Sequence, residues 1–176
     1  MSEDDLVVWG KVVAGVVAAL LCVALMGCAS VGAPAAMTER FDPAAAAFIN
    51  AQGKASVSGQ AFVRQDDGKL LRAVGTNVYL NPRTPYADER VAAIYGTGDK
   101  QKWGARVPDA DPLYEKSMRK TVASSSGSFR FDHLADGNYY VVAMIFQPGG
   151  LAFEFPILER ITVKGGQSVR IVMRGY

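Results

Sequence analysis

The stretch from Gly127 to Val142, GSFRFDHLADGNYYVV, restricts this chain to a β architecture more firmly than any other. Phe129 and Phe131 alternate with Ser128, Arg130 and Asp132. Strand side chains point to opposite faces with period two, so the alternation predicts one buried and one solvated face. Leu134 follows, then the turn pair Asp136-Gly137, then a second apolar strand from Tyr139. Two such segments joined by a short Gly-containing turn predict a β-hairpin.

Similar segments recur on both sides. Val57, Gly59, Ala61 and Val63 share one face, Asp67-Gly68 forms a turn, and a segment from Leu70 to Leu80 ends with Val78 and Leu80 inward. After the turn Pro148-Gly149-Gly150, further strands are expected at 151–158, from Ile161, and at 168–173, with Val169, Ile171 and Met173 inward. Residues 81–120 interrupt the pattern. Thr84-Pro85 can cap and start a helix to Tyr95, with Gly96 as its stop, followed by a loop carrying Trp103, Pro108, Pro112 and Tyr114. Seven or so short strands separated by turns describe a β-sandwich, with one or two short helices.

The spacing Gly127-x-Phe129-x-Phe131-x-x-Leu134-x-x-Gly137-x-Tyr139-x-Val141 resembles the carboxypeptidase regulatory-like module. Looser matches extend over 57–82 and 161–173. The resemblance implies a mainly β, transthyretin-like (prealbumin-like) Greek-key sandwich and is nearly silent on activity, because sandwiches host many functions. Enzymes on related folds resemble sites built on two histidines. His133 is the one histidine of this chain, so no such site can form.

At 176 residues and 49% hydrophobic content, the chain suffices for one domain with a core plus appendages. A formal charge of +2, with arginines and lysines scattered along the sequence, gives no basic run for nucleic acid. The two cysteines, Cys22 and Cys28, lie near the N-terminus and exclude a disulfide framework. Val12 to Gly27 is uncharged, follows Lys11 and ends in Leu25-Met26-Gly27-Cys28. Such a run suits a signal-peptide core, and its end resembles a bacterial lipobox. The resemblance implies cleavage between Gly27 and Cys28, lipidation of Cys28 and, with Ala29 next, sorting to the outer membrane facing the periplasm. The alternative is an uncleaved anchor from Leu6 to Met26, since the leader begins with Glu3, Asp4 and Asp5.

The expected organisation is therefore a signal helix over 1–27, a tether with a short spacer helix over 28–54, and a sandwich over 55–176 with an insertion at about 81–120. Asp42-Pro43 opens the spacer helix, which runs to about Ile49.

Chemistry is sparse. His133 and Ser124 to Ser126 have no assignable base or nucleophile partner, and Asp109 and Asp111 make a poor metal loop. No cofactor or metal is expected. One strand stands apart: Tyr139 to Phe146 is apolar on both faces, with Tyr140, Val142, Met144 and Phe146 forming the second. That face needs a cover, either the inserted helix and loop or a partner. Trp103 and Tyr114 offer either a sugar-stacking platform or anchors for the loop. The expectation is a membrane-anchored, non-catalytic lipoprotein that joins an envelope protein, with a carbohydrate or small-ligand module using 97–118 as the alternative.

Overall fold

The computed structural model describes residues 34, 36–98, 101–102, 105–146 and 154–175. The chain divides into two units, 1–33 and 34–176, and the second carries the fold. Gly27, Cys28, Trp103, the signal helix and the turn expected at 148–150 lie outside the described residues.

Among the described residues, eight strands form two four-stranded sheets. In sheet A, β1 (Ala55–Arg64) is central. β8 (Ser168–Gly175) runs parallel along one side of it. On the other side lie β5 (Ser128–Leu134), antiparallel to the first half of β1, and β2 (Leu70–Arg72), antiparallel to its end. Sheet B is antiparallel in the order β4 (Arg119–Val122), β3 (Asn77–Pro82), β6 (Gly137–Phe146) and β7 (Glu154–Val163). The mainly β sandwich expected from the alternation is present, with one strand more than about seven. The count differs because the segment expected from Leu70 to Leu80 is two strands, β2 in sheet A and β3 in sheet B, and because β4 is present, whose Arg-Lys-Thr-Val sequence carries little apolar signal.

The inner faces supply the core. Val57 and Ala61 of β1, Val78 and Leu80 of β3, Phe129 and Phe131 of β5, and Tyr139, Val141, Ala143 and Ile145 of β6 are buried in one cluster. Removing a large apolar side chain from water contributes about 1.5–3 kcal/mol, so this layer dominates stability.

The expected β-hairpin at 127–142 does not form. β5 pairs with β1 in sheet A, whereas β6 pairs with β3 and β7 in sheet B. Phe131 and Tyr139 thus meet the core from opposite sheets. Between them His133 adopts a left-handed φ of 56°. The Tyr139 hydroxyl donates to the Ala135 carbonyl at 2.8 Å, and Asp136 accepts from the Gly165 amide at 2.7 Å. These contacts hold the chain as it leaves one sheet for the other. Period two reports which side chains are buried, but not which sheet receives the strand. The two strands expected at 151–158 and from Ile161 are likewise a single one, β7, whose Arg160 pairs with Tyr140.

The first helix, α1 (Pro43–Ala46), is capped by the Asp42 carboxylate and continues as a 3-10 turn over Ala47–Asn50. Read from the sequence as a spacer, this segment packs onto the sandwich. Ala46 and Ile49 are buried, and Phe48 meets Tyr139 edge-on at 5.2 Å. A Cβ at Gly137 would come within 2.6 Å of the Phe48 ring, which explains that glycine by close approach. α2 (Pro85–Tyr95) is the expected insertion helix, with Thr84 accepting from the Ala87 amide and Gly96 stopping it at φ 65°. A third helix, α3 (Pro112–Ser117), follows Asp111, whose carboxylate caps it. No helix of the described residues is long and apolar enough to cross a membrane.

Candidate functional site

The second apolar face of β6 is the outer face of sheet B, and strand register lays it out in rows. Asn81, Tyr140 and Arg160 stand side by side; Lys120, Tyr79, Val142 and Leu158 form the next row; Val122, Asn77, Met144 and Pro156 form the third. Cover decreases along these rows. Asn81, Tyr140 and Leu158 are buried, Val142 and Met144 are half-buried, and Val122 and Phe146 are 59% and 45% exposed.

The covered end is a second hydrophobic layer. Tyr86, Ala87, Val91 and Tyr95 of α2 and Tyr114 of α3 pack with Tyr140 and Leu158, joined by Met37 and Phe41 from the N-terminal segment. Phe41, Tyr86 and Tyr114 form a triangle of edge-on rings with centroids 5.1–5.7 Å apart. Tyr86 accepts a hydrogen bond from the Asp111 amide at 2.8 Å, which pins α3 beneath the triangle. Glu89 on α2 binds the chain entering the fold, accepting from the Thr38 amide at 2.9 Å and the Glu39 amide at 2.7 Å. Those donors hold its carboxyl below the ordinary value, the Thr38 amide contributing most.

Tyr140 is therefore a structural residue. Its hydroxyl donates to Asp88 Oδ1 at 2.6 Å, and Arg83 Nε donates to the same oxygen at 2.9 Å. The Arg83 and Arg160 guanidinium groups lie 5.6 and 5.8 Å from its ring centroid, within cation–π range. Burial, reinforced by Asp88, pushes the phenol up to about 12. Burial does the same to Tyr95 and Tyr114. None of these phenols is poised to give up its proton near neutral pH. Asn81 Oδ1 is buried in the first row with no hydrogen-bond partner among the described residues.

This packing corrects two expectations. Tyr140 does not belong to an accessible interaction face, because α2 covers it. Tyr114 does not belong to a sugar platform: only 5% of its surface is exposed, and its ring is engaged by Phe41 and Tyr86. The sequence signal for Tyr114 was its aromatic character alone. That signal does not distinguish an anchor from a binding surface until the packing of α3 is known.

The uncovered end keeps Met144 and Phe146 together. With Gly75, Thr76, Asn77 and Tyr79 they line an open cleft of about 290 Å³. The Thr76 hydroxyl donates to the Met144 carbonyl, joining the chain just before β3 to β6 at that edge. Exposed Leu70 and Val74 continue the apolar surface, with Phe146, Arg72 and Ser125 lining an adjoining shallow cleft.

Reactive groups do not converge. Among the described residues no three of His, Cys, Asp or Glu come together as metal ligands. His133 is exposed at the end of β5. Ser124 and Ser126 share a hydrogen bond at 2.9 Å, as do Ser126 and Ser128, and Ser124 Oγ accepts from the Ser126 and Ser128 amides. The serines thus shape the turn into β5.

No family model matches the sequence, and no curated protein matches it. Among solved structures, one from Pseudomonas aeruginosa, a conjectured carbohydrate-binding protein, superposes with a TM-score of 0.62 at 21% identity. It covers 77% of this chain and 98% of its own. A minor pilin of Streptococcus agalactiae aligns at 18% identity over 72% of this chain and 45% of its own, with a TM-score of 0.37 too low to support an argument. Neither structure is described as an enzyme. At this level of identity the first likeness establishes one conclusion: the chain shares the fold of that protein.

Proposed function

We propose that this protein is a non-catalytic, lipid-anchored interaction module of the bacterial cell envelope. In this reading the chain is cleaved after Gly27, lipidated on Cys28 and held at the outer membrane facing the periplasm. The supporting sequence is Leu25-Met26-Gly27-Cys28-Ala29. The sandwich is proposed to be of the carboxypeptidase regulatory-like type. The residues behind that resemblance have structural roles that fit it: Phe129, Phe131, Leu134, Tyr139 and Val141 are buried, and Gly127 turns at φ 75°.

One observation carries the interaction reading. The outer face of sheet B is covered by the chain's own helices at the Tyr140 end, while Phe146, two residues along β6 from Met144, and Val122, on β4 beside Asn77, are left exposed at the other. Large apolar residues gathered on a surface mark contact sites, and methionine among aromatics adapts to a partner's shape. The partner proposed is an envelope protein that presents an apolar patch. The carbohydrate alternative at 97–118 is not carried forward, because Tyr114 is enclosed.

A photo-crosslinking residue at position 146 in the lipidated protein tests this in cells, with the same residue at Gln60 on the opposite sheet as control. The expected result is one discrete adduct with an envelope protein at 146, absent at 60 and lost on adding Val122→Asp. Equal labelling at both positions, or no adduct, would overturn the reading; an adduct of two copies would replace the envelope partner with self-association. Acyl labelling that survives Cys28→Ser would overturn the anchor.

A further inference from the structure

The outer face of sheet A carries a different chemistry. Residues of β1 that point away from the core are Ser56, Ser58, Gln60, Phe62 and Arg64, opposite in phase to buried Val57 and Ala61. Register brings arginines beside them from three other strands. Ser58 pairs with Arg130 of β5 and Arg170 of β8, and Phe62 pairs with Arg72 of β2 and Arg174 of β8. All four arginines are exposed. Strands spaced about 4.8 Å and residues rising about 3.3 Å place them near the corners of a rectangle of roughly 10 by 13 Å. Gln60 lies between the two rows, flanked by Ser128 and Val172.

Positive charge predominates on this face, although Arg130 is engaged by a neighbouring carboxylate. Asp132 is paired with Arg130 at 2.6 Å. Arg64, Arg72, Arg170 and Arg174 make no salt bridge among the described residues. A folded chain of small net charge thus presents a local cationic array, assembled from positions 64 to 174. Exposed charges about a Debye length apart are largely screened from one another, and a polyanion gains by meeting several of them at once.

We infer that this face binds an acidic polysaccharide, a chain in which carboxylates alternate with sugar hydroxyls. Arginine forks match carboxylates bidentately, which lysines do not. Between the forks, Ser58, Ser128 and Gln60 provide hydroxyl and amide groups for sugar hydroxyls, and a shallow cleft of about 210 Å³ runs over them. Half-buried Phe62 offers a ring to a sugar's C–H face. The face also points away from where the chain enters the fold. Thr38 and Glu39 are bound to α2, which lies over the opposite sheet. On the lipid anchoring proposed above, that placement favours an extended polymer in the surrounding space over bilayer headgroups.

The test uses the full chain in detergent and sodium polygalacturonate as probe, with neutral dextran, phosphatidylglycerol vesicles and duplex DNA in parallel. Binding to polygalacturonate and not dextran is expected, and it should weaken as salt screens the array. Arg170→Gln with Arg174→Gln should lower affinity on the order of tenfold, each replaced residue losing a charge-assisted contact. Gln60→Ala should lower it less, and Arg106→Gln with Lys116→Gln, off this face, should leave it unchanged. The thermal transition should stay in place, since all these side chains are exposed. No binding to polygalacturonate, equal loss in the off-face pair, or tighter binding to vesicles or DNA would each overturn the inference.

Discussion

The two sheets have four strands each and share one core, yet their outer faces differ in nearly every property. On sheet B the outward residues of β6 are Tyr140, Val142, Met144 and Phe146, and two helices and the entering chain cover much of them. On sheet A the outward residues of β1 are Ser56, Ser58, Gln60, Phe62 and Arg64, and arginines of β2, β5 and β8 stand beside them. An apolar face draws a cover from its own chain because burial is favourable. A cationic face stays open because guanidinium groups lose hydration when covered without anions. One sheet therefore gained a third layer, and the other kept an open, polar surface.

The most damaging substitution asks whether the cover is structural. Tyr140→Asp places a second carboxylate beside Asp88 in a buried site and removes a large ring. A loss of about 4 kcal/mol in urea unfolding is expected, against about 0.5 kcal/mol or less for Gln60→Ala on sheet A. Similar losses for the two variants would erase the distinction between the faces.

Tyr114→Ala probes the contrast within sheet B, between its covered and open ends. It opens a cavity in the aromatic triangle with Phe41 and Tyr86, and about 3 kcal/mol should be lost. If stability held while binding to a sugar fell, Tyr114 would be a ligand residue after all.

A subtler change concerns the strap of chain at 38–39. The Glu89 carboxyl is held below its ordinary value by the Thr38 amide, then the Glu39 amide and the Thr38 hydroxyl. A depressed folded value means the contact is at full strength above the ordinary carboxylate pKa of about 4.3 and weakens as pH falls through the folded value. Amide protection factors at Thr38 and Glu39 should drop as the pH falls below the ordinary carboxylate value while those in β1 persist. Protection that ignores pH, or survives Glu89→Gln, would show that the apolar contacts of Met37 and Phe41 hold the segment.

Much of the fold is legible from residue type. Alternation marks Val57, Val78, Phe129, Tyr139 and Met173 as inward, and all are buried. Thr84-Pro85 and Gly96 bound α2 because a hydroxyl cap, a fixed φ and a left-handed stop act locally. The same reading failed at the 127–142 turn. Nothing local in Leu134 to Gly137 distinguishes a hairpin from a crossing between sheets, and hydrogen bonds to strands far along the chain decide it. The double-sided strand β6 signalled that sheet B needed a cover, and left open whether a helix or a partner would supply it. The structure divides the answer: α2 covers Tyr140, and Phe146 remains exposed.

The β class, the phase of each strand, the helix caps and the lipobox-like Leu25-Met26-Gly27-Cys28 can all be read from residue order, because each depends on neighbours within a few positions. The gathering of Arg72, Arg130, Arg170 and Arg174 on one face, and the enclosure of Tyr114, required the folded chain. Those outcomes depend on strand register and helix packing between segments tens of residues apart. Period two selects a face, while long-range pairing selects the company a side chain keeps on it.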